Sequence, residues 1–482
     1  IISLQTTVMN KKILFAAAAA FISTIAVGAA PDGALKMTPK AMRINAYEAS
    51  VSANLIIVKP EAKPDVLDPS VFDVETNGIQ RVVKIVYTCD DRGEWADGGA
   101  YLAFGLEVAK DRKASPLLTQ GMGHWTDAYP VKISLKPGKS IKVGGKKISA
   151  VDCQTDNLMK NFLSESDFFR RGTFTGPSTG RAGDETLTYG AYEPWALKSD
   201  GKQNPLIIWL HGGGEGGTDV SIALMGNEVV SLIRDDIQSH FTTEGGESGC
   251  YVLAVQCPTM WMNTVFGFGH GEFPSLYSDV LKSTIDHYLD ENPDVDRDRI
   301  YLGGCSNGGY MTVNMLIRHP KFFAAAYPTC EAYADANITD NQIKTLAKEN
   351  IWFVQSIDDT TVKPEEHCMA TFKRLMEAGA KNVWMSMFEN VQGIDNPGQK
   401  LYGHFSWCYL FNDAVTASQE QNTNAPVPSN NGGGQVAPQG HANIFEWMNA
   451  QVLQDEPKPE RPSFGGGNRG NRPQGEPNQQ RR

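Results

Sequence analysis

Gly304-Cys305-Ser306-Asn307-Gly308 sets a serine between two glycines, each two residues away, where the chain turns from a short apolar run into a periodic one. Ile300, Tyr301 and Leu302 read as the end of a buried strand, and Met311, Met315 and Leu316 recur at helical spacing. A serine on so sharp a strand-to-helix turn projects its hydroxyl above the sheet, and glycines beside it let other backbone come close without a Cβ clash. The chemistry this predicts is nucleophilic attack on a carbonyl carbon. Gly176-Pro177-Ser178-Thr179-Gly180 has the same spacing, but polar Arg170, Arg171 and Thr173 precede it and no periodic helix follows. That second match reads as a loop.

A serine hydroxyl is a weak nucleophile at its own pKa, so it needs a base, and the base needs an acceptor that fixes its tautomer. Behind such a turn the partners follow in the order serine, acid, histidine. The run Asn350 to Ser356 reads as a further buried strand and leads into Ile357-Asp358-Asp359-Thr360, so either aspartate can be the acid. Beyond them stand His404 and His441. His404 is the expected base, because Tyr402-Gly403-His404-Phe405-Ser406-Trp407 combines a glycine turn with aromatics that exclude water. His441 precedes the final helical run at Ile444, and His367 falls too early, within a helical stretch from Glu365 to Leu375.

A tetrahedral intermediate also needs N–H donors for its oxyanion, one after the nucleophile and one from an earlier strand-loop junction. Pro205 to Leu210 is a buried strand that feeds His211-Gly212-Gly213-Gly214-Glu215-Gly216-Gly217. The N–H groups of Gly213 and Asn307 are the expected donors, with Gly214 as the alternative to Gly213. No Gly-Lys-Ser/Thr closes the loop as a phosphate-binding turn would require. His211 reads as structural. Trp261, with Met262, Phe266 and Phe268 near it, follows another strand and is expected to line a substrate pocket.

These residues need a sheet to hold them. From about residue 185 strands alternate with helical stretches: Pro205 to Leu210, Tyr251 to Val255, Ile300 to Leu302, Phe323 to Tyr327, Ile351 to Val354, Val383 to Phe388. That is an α/β chain with a mostly parallel sheet covered on both faces. Upstream the runs are strand-like only, at 82–88, 101–108, 131–135 and 141–143, with Pro137-Gly138 and Gly144-Gly145 turns between them. They predict a small all-β, immunoglobulin-like sandwich. The expected division is a signal peptide through residue 30, a β domain over 31–180, a catalytic domain over 181–453 with a flexible insertion at 419–440, and a disordered tail over 454–482.

Through Leu210-His211-Gly212-Gly213-Gly214, Gly304 to Gly309, Asp359 and Gly403 to Trp407, residues 185–452 resemble the secreted bacterial esterases related to phospholipase/carboxylesterases and polyhydroxybutyrate-depolymerase-like or feruloyl esterases. The upstream region resembles the immunoglobulin-like domain that one such group carries. The resemblance implies an α/β-hydrolase fold and a serine esterase acting through Ser306, Asp359 and His404. It favours Asp359 because relatives often read His-Gly-x-x-Asp-x-x-Val-Pro, although Gln355-Ser356 stands here in place of His-Gly. The alternative is a serine peptidase similar to the prolyl oligopeptidases, which share the triad order. Those usually carry a large propeller, for which the upstream region is too short.

Met9-Asn10-Lys11-Lys12, the apolar run from Ile13 to Val27 and Gly28-Ala29-Ala30 have the three regions of a secretory signal peptide. The expected location is therefore secreted or periplasmic, with no stable membrane anchor. Export permits disulfides, but the eight cysteines form a sparse framework and contain no C-x-x-C pair for zinc. Asp290 to Asp296 has valine where a calcium loop needs glycine, so no metal is expected, and the mechanism asks for no cofactor. A formal net charge of −11 argues against a nucleic-acid partner. The expected partner is a small-molecule or glycan-linked ester, and a homo-oligomer is compatible with the sequence.

Overall fold

The computed structural model describes residues 33–453 apart from 49, 119, 120, 158, 422 and 424. The signal peptide and the tail expected at the two ends lie outside the described residues.

The larger unit is built on eight strands, β1 (Arg170–Pro177), β2 (Asp184–Tyr192), β3 (Asn204–Leu210), β4 (Tyr251–Gln256), β5 (Val295–Cys305), β6 (Ala325–Thr329), β7 (Ile351–Ser356) and β8 (Val383–Phe388). Their order across the sheet is β1-β2-β4-β3-β5-β6-β7-β8. The first two strands run antiparallel to their neighbours, and from β4 onward every pairing is parallel. Every residue of β3 is buried, which explains why it reads as a continuous apolar run instead of an alternating one. Ile207 and Trp209 belong to the core on one face; Leu206, Ile208 and Leu210 belong to the core on the other.

The sheet begins at Arg170, inside the segment assigned to the upstream domain. Gly176-Pro177-Ser178-Thr179-Gly180 is accordingly the end of an edge strand and the turn after it, and a strand does lead into it. Its polar character fits an edge, where β1 has one neighbour and alternate side chains face water. The segment from Val220 to Gln238 forms three short pieces. It breaks into helix Val220–Met225, a 3-10 turn Val229–Ile233 and a last turn Asp235–Gln238, with Glu228 in the left-handed region at φ 62°.

The upstream residues form an all-β domain whose main sheet has nine strands. Its longest members, Leu35–Tyr47 and Ser50–Pro60, pair antiparallel. Leu35–Tyr47 also pairs with Val151–Thr155 near its start and with Lys160–Leu163 near its end, so one strand serves two parts of the sheet. Phe72 and Phe104, from separate parts of the sheet, meet edge to face at 5.1 Å inside the core. That packing is consistent with a β-sandwich. One continuous apolar cluster joins this domain to the catalytic sheet, running from Leu35 through Trp209 to Met448.

The segment 419–440, expected to be flexible, is held against the free edge of β8. Gln419 N–H donates to Met385 O at 2.8 Å, Met387 N–H to Gly433 O at 2.7 Å, and Ser429 N–H to Met387 O at 2.9 Å. The buried Gln419 side chain ties the loop together, accepting from Val427 N–H and donating to Gly433 O. The physical reason is the edge itself, whose backbone groups must find partners. All eight cysteines are buried and unpaired.

Candidate active site

Ser306 follows the last residue of β5 and precedes helix Asn307–Arg318, with φ 55° and ψ −112°. A serine held in so sparsely populated a conformation needs surroundings that enforce it. Its N–H donates to Thr329 O at 2.9 Å, at the end of β6, and its carbonyl accepts from Tyr310 N–H at 2.9 Å. The flanking glycines have no room for a side chain. A Cβ at Gly304 would lie 2.5 Å from Leu210 O, and one at Gly308 would lie 2.0 Å from it. The end of β3, where the glycine loop begins, is therefore pressed against the turn that carries the serine. Gly308→Ala is expected to destabilise the fold by about 1–3 kcal/mol or more in urea titration, because the obstruction is backbone and cannot rotate away. Gly214→Ala, whose Cβ would meet nothing within 4 Å, is expected to change stability by about 0.5 kcal/mol at most.

The loop after β3 opens with a 3-10 turn, Gly213–Glu215. Glu215 N–H donates to Gly212 O at 3.3 Å, while the N–H groups of Gly213 and Gly214 stand at the open start of the turn. Asn307, the first residue of its helix, likewise has no intrahelical acceptor for its N–H. Gly213, Gly214 and Ser306 all line one cavity of about 360 Å³. The expected donors are thus set beside the serine.

The acid and the base meet. His404 Nδ1 lies 2.7 Å from Asp359 Oδ2. The other oxygen of Asp359 accepts from Thr361 N–H at 2.8 Å and Val362 N–H at 3.0 Å, which orients the carboxylate. Asp358 is turned away, accepting from Ser356 Oγ at 2.7 Å and pairing with Lys400 at 3.0 Å. Its side chain is 29% exposed, whereas that of Asp359 is 0%. Gly403 passes so close to Asp358 that a Cβ would lie 2.5 Å from its carbonyl oxygen, so the histidine loop requires glycine there. Trp407 stands edge-on to the His404 ring at 5.8 Å. His404 lines the same cavity as Ser306; His441 and His367 do not.

His211 is structural in its contacts: Nδ1 donates to Gly212 O at 2.6 Å and Nε2 accepts from Cys257 N–H at 3.1 Å. Burial lowers its pKa to about 4, so it is neutral. Trp261, expected to line a substrate pocket, is 0% exposed and lies outside the cavity wall. It packs between His211 and Tyr277, and its backbone N–H donates to Asn307 Oδ1 at 2.6 Å. Its part is to hold Asn307, because the strand that delivers it feeds it into the core. Phe266 and Phe268 lie on the exposed surface.

Among the cavity-lining residues that sequence reasoning missed are Glu215 and Arg112. Glu215 is buried behind the glycine loop, with Oε2 accepting from Asn227 Nδ2 at 3.0 Å. Burial is the main cause that pushes its carboxyl up to about 7. A carboxyl whose pKa is higher folded than unfolded binds more protons in the native state, so it costs stability as pH rises from about 4.5 to about 7. Glu215→Gln is expected to remove this dependence, gaining stability relative to the parent at pH 8 but not at pH 4, read from urea midpoints. Nothing in the sequence pattern distinguishes Glu215 from a solvated loop glutamate.

Residues 276–331, which include β5, the Ser306 turn and β6, match the family described as Prolyl oligopeptidase family. No curated protein matches the chain significantly. Among solved structures, a thermostable esterase aligns over 78% of this chain and 96% of its own, at 22% identity and a TM-score of 0.61. A Pyrococcus horikoshii acylaminoacyl peptidase aligns over 61% of this chain and 47% of its own, at 16% identity and a TM-score of 0.33. A ferulic acid esterase aligns over 45% and 89%, at 14% identity and a TM-score of 0.33. With this sheet order, the family match across its serine turn and a fold shared with the thermostable esterase, the chain is a serine hydrolase of the α/β-hydrolase fold.

Proposed function

We propose that this serine hydrolase is a secreted carboxylic ester hydrolase that works through an acyl-enzyme on Ser306. The observation that carries the reading is the 2.7 Å bond from the buried Asp359 to His404, which lines the same cavity as Ser306. With Nδ1–H donated to Asp359, the imidazole keeps Nε2 as an acceptor for the serine proton. His404 takes that proton as Ser306 Oγ attacks the ester carbonyl, and Asp359 stabilises the imidazolium. The N–H groups of Gly213 and Asn307 hold the oxyanion, and each such donor is worth about 3 kcal/mol in the transition state. His404 returns the proton to the leaving alcohol, and water repeats the sequence on the acyl-enzyme.

The family match at residues 276–331 favours a second reading, a peptidase similar to the prolyl oligopeptidases. Against it, the upstream domain is one main nine-stranded sheet, not a ring of four-stranded blades. We read that domain as immunoglobulin-like, and the substrate as a small or glycan-linked ester. Among the described residues, no helix is long and apolar enough to cross a membrane. The test is a panel of nitrophenyl esters, methyl ferulate, acetylated sugars and peptidyl-proline amides. Ester turnover at least about 100-fold above amide turnover supports the esterase; selective amide cleavage would replace it with the peptidase.

A further inference from the structure

We propose that the upstream β domain orients the oxyanion hole: the N–H of Gly123 is the outer end of a chain of hydrogen-bonded peptides that ends on the Gly213 N–H. Gly123 is thereby a positioning residue for the acyl transfer. The inference rests on the acyl-enzyme reading and adds to it the contact that fixes one of its oxyanion donors.

The glycine loop has little of its own to hold its shape. Gly212, Gly213, Gly214, Gly216 and Gly217 have no side chain to pack and no Cβ to restrict the backbone, whereas oxyanion stabilisation needs donors already in place. Part of the hold comes from the catalytic domain. His211 Nδ1 donates to Gly212 O at 2.6 Å, Gln256 Nε2 donates to Glu215 O at 2.8 Å, and Gly217 N–H donates to Cys257 O at 2.9 Å. Gly214 O is held from the other domain, by the Gly123 N–H at 2.6 Å.

That bond is passed on through the loop. A trans peptide is planar, with its C=O and N–H pointing opposite ways, so fixing Gly214 O also aims the Glu215 N–H of the same peptide. The Glu215 N–H donates to Gly212 O at 3.3 Å. Gly212 O in turn shares its peptide with the Gly213 N–H, the expected oxyanion donor, so the same planarity sets that donor's direction. Hydrogen bonds in series also strengthen one another.

The hairpin that delivers Gly123 is fitted to the loop backbone to backbone. It pairs Leu117–Leu118 with His124–Trp125, and Thr126 N–H donates to Pro116 O at 2.9 Å at its root. Gly123 is buried, and a Cβ there would lie 2.7 Å from Gly214 O and 3.0 Å from Ile222 Cγ2. On the loop side, a Cβ at Gly216 would lie 2.6 Å from Met122 Cε. A side-chain bond secures the exit of the loop as well: Trp125 Nε1 donates to Ser221 Oγ at 3.0 Å, and Ser221 Oγ donates to Asp219 Oδ1 at 2.6 Å. Asp219 caps the helix Val220–Met225, into which the loop leads.

The test follows nitrophenolate release by the full chain from 4-nitrophenyl butyrate and from its thionoester, in which sulfur, a weak acceptor, replaces the carbonyl oxygen. The slow thionoester is read in single turnover with excess protein. In Gly123→Ala the new methyl group meets a backbone oxygen, so hairpin and loop must move apart. The variant is expected to lower kcat on the oxygen ester about 10- to 100-fold with KM within about threefold, and to lower the thionoester rate less than about threefold. A misaimed donor is lost only to the substrate that uses it. Trp125→Phe keeps the ring and Gly123 but loses the bond to Ser221; it is expected to show the same oxygen-selective loss at about 3- to 10-fold. That variant decides the matter if Gly123→Ala does not fold. Equal losses on both esters, or none on either, would overturn the proposal while leaving the esterase reading intact. A parent protein that turns over neither ester would overturn the acyl-enzyme reading beneath it.

Discussion

Ser306→Ala is expected to lower kcat on a nitrophenyl ester by about 10⁶-fold, leaving the residual rate that oxyanion stabilisation and binding provide. The size follows from what the serine does: without Oγ no acyl-enzyme forms, and His404 has no proton to take. The change should spare the fold. The serine backbone is held by Thr329 O and by Tyr310 N–H, bonds that alanine keeps, and its side chain faces the cavity. Tm is therefore expected within about 2 °C of the parent. His404→Ala should match the loss, and the double variant should be no worse than either single one, because the groups act as a unit. Unchanged turnover in Ser306→Ala would move the nucleophile elsewhere.

The second large effect separates two adjacent aspartates. Asp359→Asn is expected to lower kcat by about 10⁴-fold with little change in KM, since an amide no longer enforces the imidazole tautomer that leaves Nε2 free to accept. Asp358→Asn is expected to stay within about threefold. Asparagine keeps the oxygen that accepts from Ser356, and the pair lost with Lys400 is partly exposed and worth little. The reverse pattern would make Asp358 the triad acid.

The two aspartates also show how far a linear reading goes. Position after a buried strand narrows the acid to residues 358 and 359, because strand ends are marked by local apolar runs. Which of them faces His404 depends on a loop 45 residues later passing over Asp358, where Gly403 leaves just enough space. The resemblance to secreted esterases selects the same residue that the geometry brings to the histidine. Trp261 went the other way: its type and its place after a strand suggested a pocket wall, yet the turn into the core buries it completely. An aromatic that packs under a site and one that lines it look alike in sequence.

The turn at Ser306, the glycine loop and the alternation of strands and helices were determined by the sequence itself, since each rests on local rules: glycine where backbone must approach, periodicity where one or two faces are buried. The edge strand Arg170–Pro177 escaped because a half-solvated edge lacks the apolar run that marks a central strand. Only the tertiary structure decided that 419–440 closes the far edge of the sheet, that Glu215 is buried near neutrality, and that Arg112 reaches the cavity from the other domain. Those features are set by contacts between residues far apart in the chain. Burial and charge proximity are properties of the packed molecule, and no spacing along one segment encodes them.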